Sequence, residues 1–144
     1  MLVPHIKIMI IVDRAIIPNS ENQFPKIGNN TIYYLFGNEL DYIGEMFYGI
    51  EQLISITFTP IFDTSNINNL NFMFYGCTNF AFINISSFNT ENVEKLSWMF
   101  ELCKSLKSIE LKNFNTQNVT SMNMMFYGCS SLTSIDISHF NNNI

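Results

Sequence analysis

Hydrophobic positions along this chain recur in a pattern that is written out four times at a nearly constant interval. Met46-Phe47-Tyr48-Gly49-Ile50, Met73-Phe74-Tyr75-Gly76-Cys77, Met99-Phe100-Glu101-Leu102-Cys103 and Met125-Phe126-Tyr127-Gly128-Cys129 mark the copies. Beyond each leading methionine the apolar positions keep step. Leu53, Phe80, Leu106 and Leu132 coincide, then Ile56, Ile83, Ile109 and Ile135, then Phe58, Ile85, Leu111 and Ile137. Phe62, Phe88, Phe114 and Phe140 follow, the first displaced by one residue near Pro60. A polar group comes next, as Asp63-Thr64-Ser65-Asn66, Asn89-Thr90-Glu91-Asn92 and Asn115-Thr116-Gln117-Asn118. Ile67, Val93 and Val119, and then Leu70, Leu96 and Met122, lead back to the next methionine. A fixed period of about 26 residues marks a stack of short units, each hiding its apolar face against its neighbours.

Within a unit the spacing changes character. From Leu106 to Lys112, Ile109 and Leu111 alternate with Ser108, Glu110 and Lys112, which predicts a strand with one buried face. From Val119 to Phe126, apolar residues at 119, 122, 125 and 126 fall on one side of a helix. Asn66, Asn92 and Asn118 stand where an N-cap would accept from first-turn amides. Gly49, Gly76 and Gly128 stand where a left-handed C-cap would end the helix, and Leu102 breaks that pattern. Each unit therefore reads as strand, polar turn and short helix, with the strands stacked in parallel about 4.8 Å apart.

The chain ahead of Thr31 lies outside the repeat. His5 to Val12 reads as a short strand and Pro18 to Asn30 as a loop, together capping the first unit. The division expected is a capping strand and loop over 1–30 and about four repeats over 31–144, the last incomplete. The repeat begins imperfectly at Thr31, where Ile32 and Leu35 fill the strand and Phe positions and Leu40, Ile43 and Met46 supply the helix face. It stops at Phe140-Asn141-Asn142-Asn143-Ile144 without a further helix or polar cap. The expectation is end-to-end self-association through Leu132 to Ile137, or life as part of a longer array.

Composition narrows the class. A chain of 144 residues with 47% hydrophobic and 13% charged residues suits one folded domain. Its net charge of −5, with seven basic residues scattered along it, argues against a nucleic-acid partner. The longest apolar run, Ile8 to Val12, is too short for a membrane span. With His5 and Lys7 ahead and Asp13 behind, it is also too short and poorly flanked to read as a secretory signal.

The motif Met125-Phe126-Tyr127-Gly128-Cys129-Ser130-Ser131-Leu132-x-x-Ile135-x-Ile137-x-x-Phe140-Asn141 resembles the repeats of BspA-like leucine-rich-repeat surface proteins. The resemblance covers Thr31 to Asn142. It implies an α/β fold, a short right-handed solenoid with one parallel sheet and one short helix per repeat. It further implies a cell-surface or secreted location and a role in adhesion or protein binding. In such a solenoid the outward strand positions form the binding face, and here most carry small polar residues. Phe82, an outward aromatic, and Asn84, Glu110, Lys112 and Asp136, where charge rises above that background, are the candidate protein-binding face.

Other candidate chemistry is sparse. Cys77, Cys103 and Cys129 fall one per repeat, in a slot that Ile50 fills in the first. A slot that accepts isoleucine is apolar, so these read as buried thiols, not a metal site or a disulfide. Tyr48, Tyr75 and Tyr127 share a position with Glu101, a partly wet slot and a minor aromatic binding patch. His5 and His139 are isolated, and no phosphate loop, nucleophile–base pair or metalloprotease motif occurs. The N-x-S/T sequons at Asn29, Asn84 and Asn118 matter only in an exported chain. The sequence thus points to a non-catalytic protein-interaction or adhesion module without cofactor or metal. The competing reading is a structural segment of a longer repeat protein with no binding site of its own.

Overall fold

The computed structural model describes residues 6–10, 26–27, 31–34, 42–51, 53–58 and 62–141. Five strands form one sheet: β1 (Ile6–Ile10), β2 (Lys26–Ile27), β3 (Thr31–Tyr34), β4 (Leu53–Phe58) and β5 (Phe82–Asn84). Their order is β2-β3-β1-β4-β5, parallel throughout except where β2 runs antiparallel to β3. β1, inside the strand expected at His5 to Val12, pairs with both β3 and β4. It therefore covers the edge of the first full repeat, and β3 lies one strand further out. β2 falls in the stretch expected to be loop. Most of that stretch, with Leu35, Leu40 and Pro60, lies outside the described residues.

Repeats lie side by side in the register that the sequence period sets. β4 and β5 align Ser55 with Phe82, Ile56 with Ile83 and Thr57 with Asn84, the same offset as Met46 to Met73. Two isolated parallel bridges carry the register onward, Asn69 to Lys95 and Lys95 to Ser121.

The helix expected in each repeat is not formed: among the described residues there is no α-helix. Val119 to Phe126 and its counterparts run instead through consecutive tight turns. In the first repeat Met46, Tyr48 and Ile50 donate to carbonyls three residues back, those of Ile43, Glu45 and Phe47. The amides that alternate with them, of Glu45, Phe47 and Gly49, donate to the carbonyls of Asn71, Met73 and Tyr75 of the next repeat at 2.7 to 3.1 Å. Half of the turn's amides are thus satisfied across repeats, which a helix would not allow. A segment of about eight residues is also too short to offset helix nucleation. Tandem turns re-aim the chain inward every three residues, so they bury the same positions as a helix face. Val93, Leu96, Met99 and Phe100 are fully buried.

Each run of turns needs left-handed residues at two places. Gly49, Gly76 and Gly128 have φ of +68°, +71° and +74°, and Leu102 adopts the same conformation at +61°. The conformation expected at the glycines is present, but it closes a turn and not a helix. Glu45, Phe72, Trp98 and Met124, just before each methionine, are left-handed too. The N-caps are corrected with the helix: Asn92 and Asn118 donate from Nδ2 to the carbonyls of Ser65 and Glu91 in the preceding repeat.

The strands expected at Leu106 to Lys112 and Leu132 to Ile137 do not pair into the sheet. Side-chain oxygens of Asn84, Glu110 and Asp136 accept from the amides two residues on, a local bond shared by paired β5 and the two unpaired segments. The alternation of burial survives without pairing. Ser108, Glu110 and Lys112 are exposed, Ile109 is half-buried and Leu111 is buried.

The core is a set of columns running across the repeats. Phe47, Phe74, Phe100 and Phe126 stack face to face, with ring centroids 5.2, 5.3 and 5.4 Å apart. A polar column is buried beside them. Thr64 Oγ donates to the Asn89 carbonyl at 2.9 Å and accepts from the Asn89 amide at 2.8 Å. Thr90 repeats both bonds with Asn115, and the amide of Asn141 donates to Thr116. A buried hydroxyl that gives and takes one bond leaves no desolvated group unpaired.

Candidate functional site

Two surfaces rise from this core. The first carries the outward positions around β5. Phe82 is 55% exposed, and the Nζ of Lys107 sits 5.7 Å from its ring centroid. Asn84, Glu110 and Asp136 occupy one slot in successive repeats, and all three do the same local work. Asn84 Oδ1 accepts from the amide and hydroxyl of Ser86, and Asp136 Oδ1 does so from Ser138. Glu110 Oε1 accepts from the Lys112 amide at 3.1 Å, the only bond within the five-residue set among the described residues. The Ser138 hydroxyl and amide hold the Asp136 carboxyl below its usual pKa, with His139 adding to the effect. These oxygens are already engaged in shaping turns, which leaves Phe82 and the Lys112 side chain as the groups most open to a partner.

The second surface lies over the turns. Tyr48 and Tyr75 stack with centroids 4.8 Å apart and planes 7° from parallel. Phe72 and Trp98 stack at 4.7 Å and 7° in the neighbouring column. Phe72 meets the rings of Tyr48 and Tyr75 at 6.3 and 5.8 Å, so four aromatic rings from three repeats form one continuous patch. Tyr127, 62% exposed, continues the tyrosine column past Glu101, and exposed Met124 continues the other past Trp98. The left-handed turn residues hold the second column outward. Sequence reasoning found the tyrosine slot but missed its neighbour. The position before each methionine holds Glu45, Phe72, Trp98 and Met124, and so mixed a slot shows no class to read.

The three cysteines form a column of their own, and His139 lies beside Asp136 at the end of the first surface. Cys77, Cys103 and Cys129 are free thiols that donate to the carbonyls of Phe47, Phe74 and Phe100 at 3.0 to 3.1 Å. Burial pushes the Cys77 thiol up to about 12 and that of Cys129 to about 11, and Cys103 is raised further still. Thiols so protonated are poor nucleophiles and poor ligands. His139 Nε2 lies 3.0 Å from the Leu111 carbonyl with its ring edge-on to Phe140, and His5 lies outside the described residues. A shallow recess of about 500 Å³ beside Phe114, Gln117 and His139 holds no nucleophile–base pair. Among the described residues no cluster of three or more His, Cys, Asp or Glu is placed to hold a metal, and no helix is long and apolar enough to cross a membrane.

These features define a class: short repeats joined by hydrogen bonds and aromatic columns. Residues 41–143 match the family described as "Mycoplasma protein of unknown function, DUF285", and as the match spans well over half the chain, the protein belongs to that family. No curated protein and no solved structure matches the chain.

Proposed function

We propose that this chain is a non-catalytic protein-interaction module, a stretch of leucine-rich-repeat-like solenoid of the BspA-like kind that acts in adhesion at a cell surface. The observation that carries this reading is the patch of Tyr48, Phe72, Tyr75 and Trp98. Tyr48 is exposed and the other three rings are half-buried, all carried by backbone turns in phase with the repeat. Large, stiff aromatic side chains give contact area at little entropic cost and are enriched where proteins bind proteins. Phe82 offers a second anchor on the strand side. The experiment is surface-immobilised binding of purified extracellular-matrix and host-surface proteins, with wild type beside two variants. One replaces Phe82, Glu110 and Asp136 by serine, and the other replaces Tyr75 and Trp98 by serine. Specific binding lost in either variant, with the melting temperature nearly unchanged, supports the module. Binding equal in all three proteins, or in none, removes it.

The competing reading is a structural segment of a longer array without a binding site of its own. One observation favours it: the last repeat leaves Leu132 half-buried and Ile137 exposed, where their counterparts Leu106 and Leu111 are buried.

A further inference from the structure

The two N-x-S/T sequons among the described residues are held in opposite ways. In Asn118-Val119-Thr120 both polar side chains are tied to the preceding repeat. Asn118 Nδ2 donates to the Glu91 carbonyl at 2.8 Å, and Thr120 Oγ donates to the Glu94 carbonyl at 3.1 Å. In Asn84-Ile85-Ser86 the two side chains bond each other instead. Asn84 Oδ1 accepts from the Ser86 amide at 3.0 Å and from its hydroxyl at 2.7 Å. A backbone amide can only donate, so the atom facing Ser86 is the oxygen and Nδ2 is turned away from it. Asn84 is exposed, and among the described residues no group accepts from that nitrogen. Two residues earlier, Phe82 stands on the same side. β5 runs exposed, half-buried, exposed, so its first and last side chains share one face. The slot of Phe82 holds Ser55, Ser108 and Ser134 in the other repeats, so stacking the repeats does not call for a ring there. The ring is 55% exposed, with the Lys107 ammonium 5.7 Å from its centroid.

We propose that Asn84 is an N-glycosylation site whose first sugar lies on the Phe82 ring, an assignment that rests on the reading of the chain as a cell-surface module. In the transfer, Asn84 Nδ2 bonds to C1 of a sugar activated on a diphosphate. The C1–O bond breaks, the diphosphate leaves with the bonding pair, and one Nδ2 proton passes to a base of the transferase. Two donors on Oδ1 draw electron density toward the oxygen, which makes that proton easier to remove. The axial C–H bonds of a hexose form an apolar face that packs on the electron-rich face of an aromatic ring. Hydroxyls at the sugar's rim then lie within reach of Lys107. Seated there, the glycan covers the strand-side anchor, and Phe82 is open to a protein partner only in the unmodified chain.

The test uses the folded 144-residue chain carrying Asn29→Gln, so that only the two described sequons remain. It is incubated with a soluble asparagine glucosyltransferase and UDP-glucose, and its peptides are mapped by mass spectrometry. The expected result is one hexose on Asn84 and none on Asn118. Ser86→Ala is expected to lose the hexose and Ser86→Thr to keep it. In the modified chain the glucose C–H resonances should move upfield over the Phe82 ring and the melting temperature should rise. Both effects should vanish in Phe82→Ser, which still takes the sugar. An unmodified Asn84, equal modification of Asn118, or undiminished transfer in Ser86→Ala would overturn the site. Glucose resonances at the same positions in wild type and Phe82→Ser would overturn the seat on the ring. The protein-binding assay on the unmodified chain separates these outcomes from failure of the module. Matrix-protein binding with no hexose on Asn84 removes the site and leaves the module standing, and a hexose on Asn84 without any protein partner does the reverse.

Discussion

Burial governs the chemistry of the three cysteine thiols. Each sits in the slot Ile50 fills in the first repeat, and each gives its weak S–H bond to a carbonyl of the preceding repeat. Desolvation raises Cys77 from 9.0 to about 12 and Cys129 to about 11, and it raises Cys103 further, with the neighbouring thiols adding to the effect. A proton held more tightly in the folded state than in the unfolded one contributes stability that is complete below the unfolded value. The contribution is lost as the pH rises from about 9 toward the folded values. The urea midpoint is therefore expected to fall above pH 9, and to fall less in a Cys77→Val, Cys103→Val double variant. Native alkylation at about pH 8 should be slow and should reach Cys129, the least buried, first. Fast, equal labelling of all three would show that these thiols are not internal. The buried slot was legible in the sequence because one copy of the repeat carries isoleucine there. The bond from sulfur to carbonyl was not, since a slot that tolerates isoleucine gives no sign of a donor.

At the scale of the element, the threonine column shows what joins one repeat to the next. Thr90 is buried and bonds the amide and carbonyl of Asn115 with a single hydroxyl. Thr90→Val keeps the shape and strands both backbone groups, so it should cost about 2 kcal/mol or more in urea denaturation, whereas Thr90→Ser should cost much less. A loss below about 0.5 kcal/mol in Thr90→Val would mean that the column contributes nothing net. The sequence placed this threonine in a polar turn but did not reveal its burial, because a threonine among Asn, Glu and Gln looks like any solvated turn residue. The apolar positions fared differently. A constant period registers the slots whatever backbone lies between them, so Leu96, Met99, Phe100 and Leu106 were identified as interior and are fully buried. The backbone itself was misread. Apolar residues at i, i+3, i+6 and i+7 suit a helix face and a run of three-residue turns equally. The left-handed Phe72, Trp98 and Leu102 that decide between them are residue types that give no warning of positive φ. Three of the five residues on the outward face were legible as a shared slot, and their occupation by turn bonds was not.

Across the whole molecule the two ends of the stack differ. At one end β1 runs along the edge of β4 and satisfies its backbone. At the other, the amides of Met124, Phe126 and Gly128 have no acceptor among the described residues, though their counterparts Trp98, Phe100 and Leu102 each donate to the following repeat. The apolar side of that end is open too. Ile137 is 46% exposed and Leu132 is half-buried, where Leu111 and Leu106 of the inner repeat are at 1% and 0%. Unpaired amide rows beside bare aliphatic groups recruit further chains, and repeat stacks need polar ends to remain dispersed. A further repeat, in the same chain or another, would meet both needs at once. For the 144-residue polypeptide in solution the expected outcome is association end to end through the segment Leu132 to Ile137, with a scattering mass that rises with concentration. Ile137→Lys should shift the balance to monomer without lowering the melting temperature, because that side chain is exposed in the single chain and its loss opens no cavity. A wild-type mass that stays at 16.7 kDa across micromolar concentrations would show that the bare end is stable as it stands. Association undiminished in Ile137→Lys would place the contact elsewhere, with the aromatic patch over the turns the next surface to vary.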